Sequence, residues 1–325
     1  MSENAPSPAP PSTGGDSAHA GSARVVVAAL AINVLIAIIK FLVAAVTHST
    51  AMLAEAFHSL ADTGNQIFLL LGMRLAARPA DDEYPFGHAS ERYFWAFMAA
   101  LSIFTVGGAL SIYEGAKKIF GDEHEELANP RWAFVVLGVS IVLETYSFLV
   151  AMREFRTESR GRGFLRTVED ARDPTVLTVL FEDAAALVGL VFALAGVALT
   201  TLTGHAIWDG IASVMVGLVL VAVAWVLARR TKSLLIGRSV PDEERRRIEE
   251  IAAAGVDVRR VIHIRTVHLG PDEVMCGLKL TFSPGLDIPT LERRINELEA
   301  QLRAAYPHLV RIYVEPGFDE RPPAA

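Results

Sequence analysis

Six apolar runs decide what this chain can become. They lie at about residues 24–47, 51–75, 93–113, 132–152, 176–199 and 207–228. A helix needs about 20 apolar residues to cross a bilayer core, and helices satisfy their own backbone polar groups there. Hydrophobic residues make up 52% of the 325, which fits a membrane protein with a soluble part. The first run follows a weakly basic start, and no small-residue cleavage site comes after it. It therefore reads as a true span rather than a removed signal peptide. A formal net charge of −7 excludes a general nucleic-acid binder. The single cysteine, Cys276, excludes an intrachain disulfide and a multi-cysteine zinc site.

Ionisable groups inside such runs are costly, roughly 2.5–3.5 kcal/mol each on insertion scales, and mark ion or proton paths. The second run holds Glu55-Ala-Phe-His58-Ser-Leu-Ala-Asp62-Thr-Gly-Asn65. His58 and Asp62 are four residues apart, so on a helix they share one face. The fifth run holds Glu182-Asp183. Two such helices hide their polar faces from lipid against each other. An imidazole and several carboxylates facing inward suit a divalent cation. Glu182 has two readings, a fourth oxygen ligand or the partner of a buried cation such as Lys40. Lys40 reads as structural, Glu144 as packing or orientation, and Asp209 as a helix cap.

The remaining segments set the domains and the topology. Residues 1–22 are rich in Ser, Pro, Gly and Ala and read as a disordered tail. Residues 23–236 read as a six-helix transmembrane domain. The loop with Arg153, Arg156, Arg160, Arg162, Arg166 and Arg172, and the end of the sixth run, are the most basic stretches. They lie on one side of a six-span protein, which places both termini in the cytoplasm. Anionic lipid binding is a secondary reading of the same arginines. From Pro241 the pattern changes to helix, strand, strand, helix, strand, with Cys276, Leu278, Leu280 and Phe282 alternating as in a half-buried strand. Ile288, Leu291, Ile295, Leu298 and Leu302 mark one helix face. Residues 237–318 thus read as a cytoplasmic α+β domain of ferredoxin-like order, and 319–325 as a tail.

Taken together, these features resemble the cation diffusion facilitator family: six spans, His58-x-x-x-Asp62 in the second, an acid in the fifth, and a C-terminal α+β domain. Tyr84-Pro-Phe-Gly-His88 is similar to that family's segment before its third span. Ala171-Arg-Asp-Pro174 followed by Glu182-Asp183-Ala-Ala-Ala-Leu-Val-Gly189 resembles its zinc-transporter-nine-like branch. The resemblance covers residues 24–317.

It implies a homodimeric exporter of zinc or a similar divalent ion, driven by inward proton flow, without a cofactor and in contact with membrane lipid. The transport site it implies pairs positions four apart on spans two and five. His58 and Asp62 match the first pair, and Asp183 the second position of the second pair. Val179 stands at the remaining position, often histidine in the family, and cannot bind metal. A loop site maps to Asp81 and His88, with Tyr84 where a second histidine is common. A cytoplasmic-domain site maps to His263 and Glu315, with Tyr313 and Glu292 replacing histidines. The expected location is a bacterial inner membrane. Manganese or iron(II) export, a membrane-embedded metal-dependent hydrolase, and a non-transporting scaffold stand as alternatives.

Overall fold

The structure, a computed structural model, describes residues 15–47, 50–121, 130–159 and 163–317; for several helical residues, Phe57 and His58 among them, it describes the backbone alone. Residues 1–14, the acidic loop at 122–126 and the tail 319–325 lie outside the described residues. The chain divides into two compact units, Ala20–Leu235 and the part from Ile236 onward.

The first unit is helical: α1 (Gly15–Thr47), α2 (Thr50–Ala76), α3 (Glu91–Ser102), a π-helical stretch (Ile103–Ala109), α4 (Leu110–Phe120), α5 (Pro130–Ser159), the short α6 (Phe164–Asp170), α7 (Pro174–Thr203) and α8 (Ile207–Leu235). α3, the π stretch and α4 join into one 30-residue span. Among the described residues, five helices are long and apolar enough to cross a membrane. α2, with 27 residues, is of comparable length but carries His58, Asp62, Asn65, Gln66 and Arg74, which lower its apolarity. α1 begins at Gly15, not near Arg24, so residues 15–22 of the expected disordered tail are helical. At the end of that stretch the Ser22 hydroxyl donates to Asp173 Oδ2 at 2.6 Å.

Small residues set the packing of this bundle. Ala29, Ala96, Ala99, Ala100, Ala151, Ala185 and Ala224 are all buried. α7 packs against α5 and α8, and α8 also packs along the π stretch and α4. There two glycine pairs face each other. A Cβ on Gly115 would lie 2.7 Å from the Gly210 carbonyl oxygen, and one on Gly217 2.8 Å from that of Gly108. Only glycine allows backbones this close, which is how helices associate without a hydrophobic drive between them.

Asp173 starts α7. Its Oδ1 accepts from the Thr175 N–H at 2.9 Å, with Pro174 in the first turn, a favoured helix start. Its Oδ2 takes the Ser22 hydroxyl and the Arg92 guanidinium, the latter at 2.9 Å. One carboxylate thus ties α1, α3 and α7 together. Burial alone would raise the Asp173 carboxyl, but Arg92 and the hydrogen bonds from Ser22 and Thr175 hold it below its ordinary value. Asp209 is not a cap: it sits inside the first turn of α8, and its carboxylate accepts from Lys118 Nζ at 2.7 Å.

The second unit follows the expected order: α9 (Asp242–Ala253), β1 (Val258–Gly270), β2 (Glu273–Phe282), α10 (Ile288–Ala305) and β3 (Leu309–Pro316). β2 is central, antiparallel to β1 and parallel to β3. Asp287 caps α10, accepting from the Thr290 N–H at 3.1 Å. Val274, Cys276, Leu278 and Leu280 alternate along β2 and bury against Ile248 and Ala252 of α9 and Leu298 and Leu302 of α10. Ile288, expected on the buried helix face, is 81% exposed at the first residue of α10.

Candidate functional site

The acids of α7 begin in its third turn. Glu182 and Asp183 are both buried, at 6% and 1% exposure. An ionised side chain there must be met by other polar groups. Glu182 is met by α2: Asn65 Nδ2 donates to its Oε1 at 2.8 Å, and Gln66 Nε2 donates to its Oε2 at 2.9 Å. Asp183 is met by α5, whose Ser147 hydroxyl donates to its Oδ2 at 2.7 Å. Both acids therefore receive neutral donors from neighbouring helices. These hydrogen bonds fix the position of a carboxylate without cancelling its charge. The reading of Glu182 as the partner of Lys40 is replaced by this amide clamp.

Asp62 is half-buried on α2, one turn before Asn65 and Gln66. Asp62, Glu144, Glu182 and Asp183 lie near enough for their charges to act on one another, and Lys40 acts on Glu144. Glu144 and Lys40 are both buried. Glu144, read from sequence as packing, thus shares the electrostatic field of the site. The signal was available, because a carboxylate inside an apolar span marks function by default. Asn65, Gln66 and Ser147 were also passed over. Asn65 and Gln66 stand three and four residues beyond Asp62, on the same helix face.

The side chain of His58 lies outside the described residues. Val179, at the position the family resemblance gives a ligand, is fully buried and apolar. Among the described residues, no three His, Cys, Asp or Glu side chains converge closely enough to hold a metal ion.

The loop pair is brought together. His88 Nε2 is 3.6 Å from Asp81 Oδ2, while His88 Nδ1 lies 3.2 Å from the Pro79 carbonyl oxygen. Tyr84 packs on the His88 ring at 4.6 Å between centroids, and its N–H donates to Asp81 Oδ1 at 2.7 Å.

The C-terminal pair is different. His263 is opposite Lys279 on β2, and Lys279 is opposite Glu315 on β3. Lys279 Nζ donates to Glu315 Oε1 at 2.7 Å. An ammonium thus stands between the two expected ligands. Its hydrogen bond and charge hold the Glu315 carboxyl below its ordinary range. Cys276, on the buried face of the same strand, has its thiol pushed up to about 12 by burial and is no thiolate at neutral pH.

Buried carboxylates held by neutral donors inside an apolar bundle are compatible with a membrane protein that handles cations. The cation efflux transmembrane domain family matches residues 26–236. The chain belongs to that family, a family of transporters and not of enzymes, and the hydrolase reading is set aside.

The chain is 37% identical over 265 residues to the proton-coupled zinc antiporter SLC30A9, mitochondrial, of Xenopus laevis, which covers 81% of this chain and 47% of that protein. The Homo sapiens protein of the same name is 33% identical, with coverages of 81% and 46%. Metal tolerance protein C4 of Arabidopsis thaliana is 30% identical over 282 residues, with coverages of 86% and 61%. The chain spans about half the length of the SLC30A9 relatives.

These relatives correct one expectation. The sequence reading placed the chain in a bacterial inner membrane, yet these three relatives, at 30–37% identity, are eukaryotic and two of them mitochondrial by name. They point to a eukaryotic membrane instead. Span length could not have told the difference, since membranes vary by only a few ångströms in thickness.

Proposed function

We propose that this protein exports a divalent cation, zinc, in exchange for protons, and that it works as a homodimer. The observation that carries the reading is the pair of buried acids Glu182 and Asp183, held by neutral donors from α2 and α5 inside an apolar bundle. A site that fixes carboxylates but leaves their charge standing attracts a cation. His58, Asp62 and Asp183 bind the ion, with Glu182 beside them. The absence of thiolate and the presence of one imidazole suit zinc, while the oxygen-rich remainder keeps manganese and iron(II) as the rival ions. Zinc needs the neutral imidazole, so metal and proton compete at His58, and alternating access turns that competition into exchange.

The part from Ile236 is proposed as the cytoplasmic domain, with both chain termini on that side. Asp81 with His88 remains a candidate loop site. His263 with Glu315 is the weaker candidate, because Lys279 stands between them. The test is zinc flux in proteoliposomes under an imposed pH gradient. Flux that follows the gradient and competes with manganese supports the reading. A protein that moves no divalent ion under any gradient overturns it.

A further inference from the structure

The amide clamp on Glu182 leaves something over. A carboxylate can only accept hydrogen bonds, so each amide must face it with its NH2 group. The carbonyl oxygen of each amide is therefore left for another partner. Asn65 Oδ1 and Gln66 Oε1 are both buried and have no hydrogen-bond partner among the described residues. The two residues are 2% and 0% exposed. Leaving a buried acceptor unmet is costly, and here two adjacent residues bear that cost together. They lie on the helix face of α2 that carries Asp62 one turn earlier and His58 one turn before that.

We propose that Asn65 Oδ1 and Gln66 Oε1 are ligands of the transported cation. They supply neutral oxygens to a site in which Val179 offers none. On this account Glu182 is a positioning residue: it grips the NH2 groups and so fixes both carbonyl oxygens. The cation is then a divalent ion taken by an oxygen-rich set, Asp62, Asp183 and the two amides. Carbonyl and carboxylate oxygens suit manganese as well as zinc, whereas added imidazole favours zinc. The amides therefore set the balance between the two ions. This inference rests on the cation-transport reading above.

The experiment measures zinc and manganese affinities of the full-length protein in detergent, wild type beside Gln66→His. Exchanging an amide oxygen for an imidazole nitrogen should move the zinc-to-manganese affinity ratio toward zinc by roughly tenfold. If Gln66 only clamps Glu182, both affinities fall alike and the ratio holds, and the inference is overturned. Should Gln66→His fail to fold, Asn65→His asks the same question with the same two outcomes. Asp183→Asn serves as the control. Wild-type protein that binds neither ion better than Asp183→Asn does would remove the transport-site reading itself, and this inference with it. An unchanged ratio in a protein that binds both ions removes the inference alone.

Discussion

The bundle and the C-terminal sheet treat their carboxylates in opposite ways. In the bundle, Glu182 and Asp183 are gripped by two amides and a hydroxyl, all neutral. On the sheet, Glu315 is gripped by the ammonium of Lys279. Both arrangements satisfy hydrogen bonding, and only the second cancels charge. Two places that look alike in sequence, an acid within reach of a histidine, thus differ in what they can still attract. A third carboxylate, Asp173, joins the two cases: it lies in the helical unit, yet it is neutralised by Arg92 and serves as a tie between helices.

The largest expected effect falls on the uncompensated acids. Asp183→Asn should cut zinc flux by about 100-fold or more, because a buried charged ligand is lost, and leave a folded protein. Flux within a few-fold of wild type would end the distinction drawn here.

Asp173→Asn should do the reverse, sparing the ion-binding groups and weakening the fold. It takes away a charged hydrogen-bond partner of the Arg92 guanidinium, whose side chain is 3% exposed, at a cost of about 1.5–3 kcal/mol. The folded value of Asp173 lies below its ordinary one, so its contribution is complete above the ordinary aspartate pKa of about 3.9 and is lost as pH falls through the folded value. Melting curves in detergent should show acid sensitivity in the wild type and a flatter profile in Asp173→Asn. Parallel profiles would contradict this.

Replacing both Asn65 and Gln66 by Leu should weaken zinc binding about tenfold or more, since two hydrogen bonds to a charged group vanish and two proposed ligand oxygens with them. Affinity equal to wild type would mean that Glu182 needs no grip to do its work. The smallest effect belongs to the sheet. Lys279→Met on the Asp183→Asn background should add weak zinc binding at His263 and Glu315, and should move the unfolding temperature by less than about 2 °C. No gain in binding would show that charge compensation is not what separates the two regions.

Much of this was legible in the residues. The apolar runs marked the spans, and the alternation of Cys276, Leu278 and Leu280 marked the central strand, because burial imposes a period on sequence. Glu182 and Asp183 announced themselves by being ionisable where lipid surrounds the chain. Lys279 did not, because nothing in three separate strands states their pairing. His263, Lys279 and Glu315 became neighbours only through one antiparallel and one parallel register. Asn65 and Gln66 were hidden differently. An amide in a span reads as tolerable polarity, and its role depends on which helix lies opposite. The partner of Ser22 was hidden in the same way, since Asp173 stands 151 positions further on.

The π-helical stretch from Ile103 to Ala109 carries a consequence of its own. Each turn of such a helix spends more residues than an α turn does, so it acts as a phase shifter in the middle of a long rod. Everything after it is rotated relative to everything before it. Beyond it Gly115 lies against Gly210 and Lys118 against Asp209, while Tyr93 and Ala96 are buried at the other end. Removing a single residue from the stretch would undo the rotation and turn the whole second half of the span to a new azimuth. The bulge is thus a length-coded setting: outside the tightly packed Gly108, residue count there matters more than residue identity.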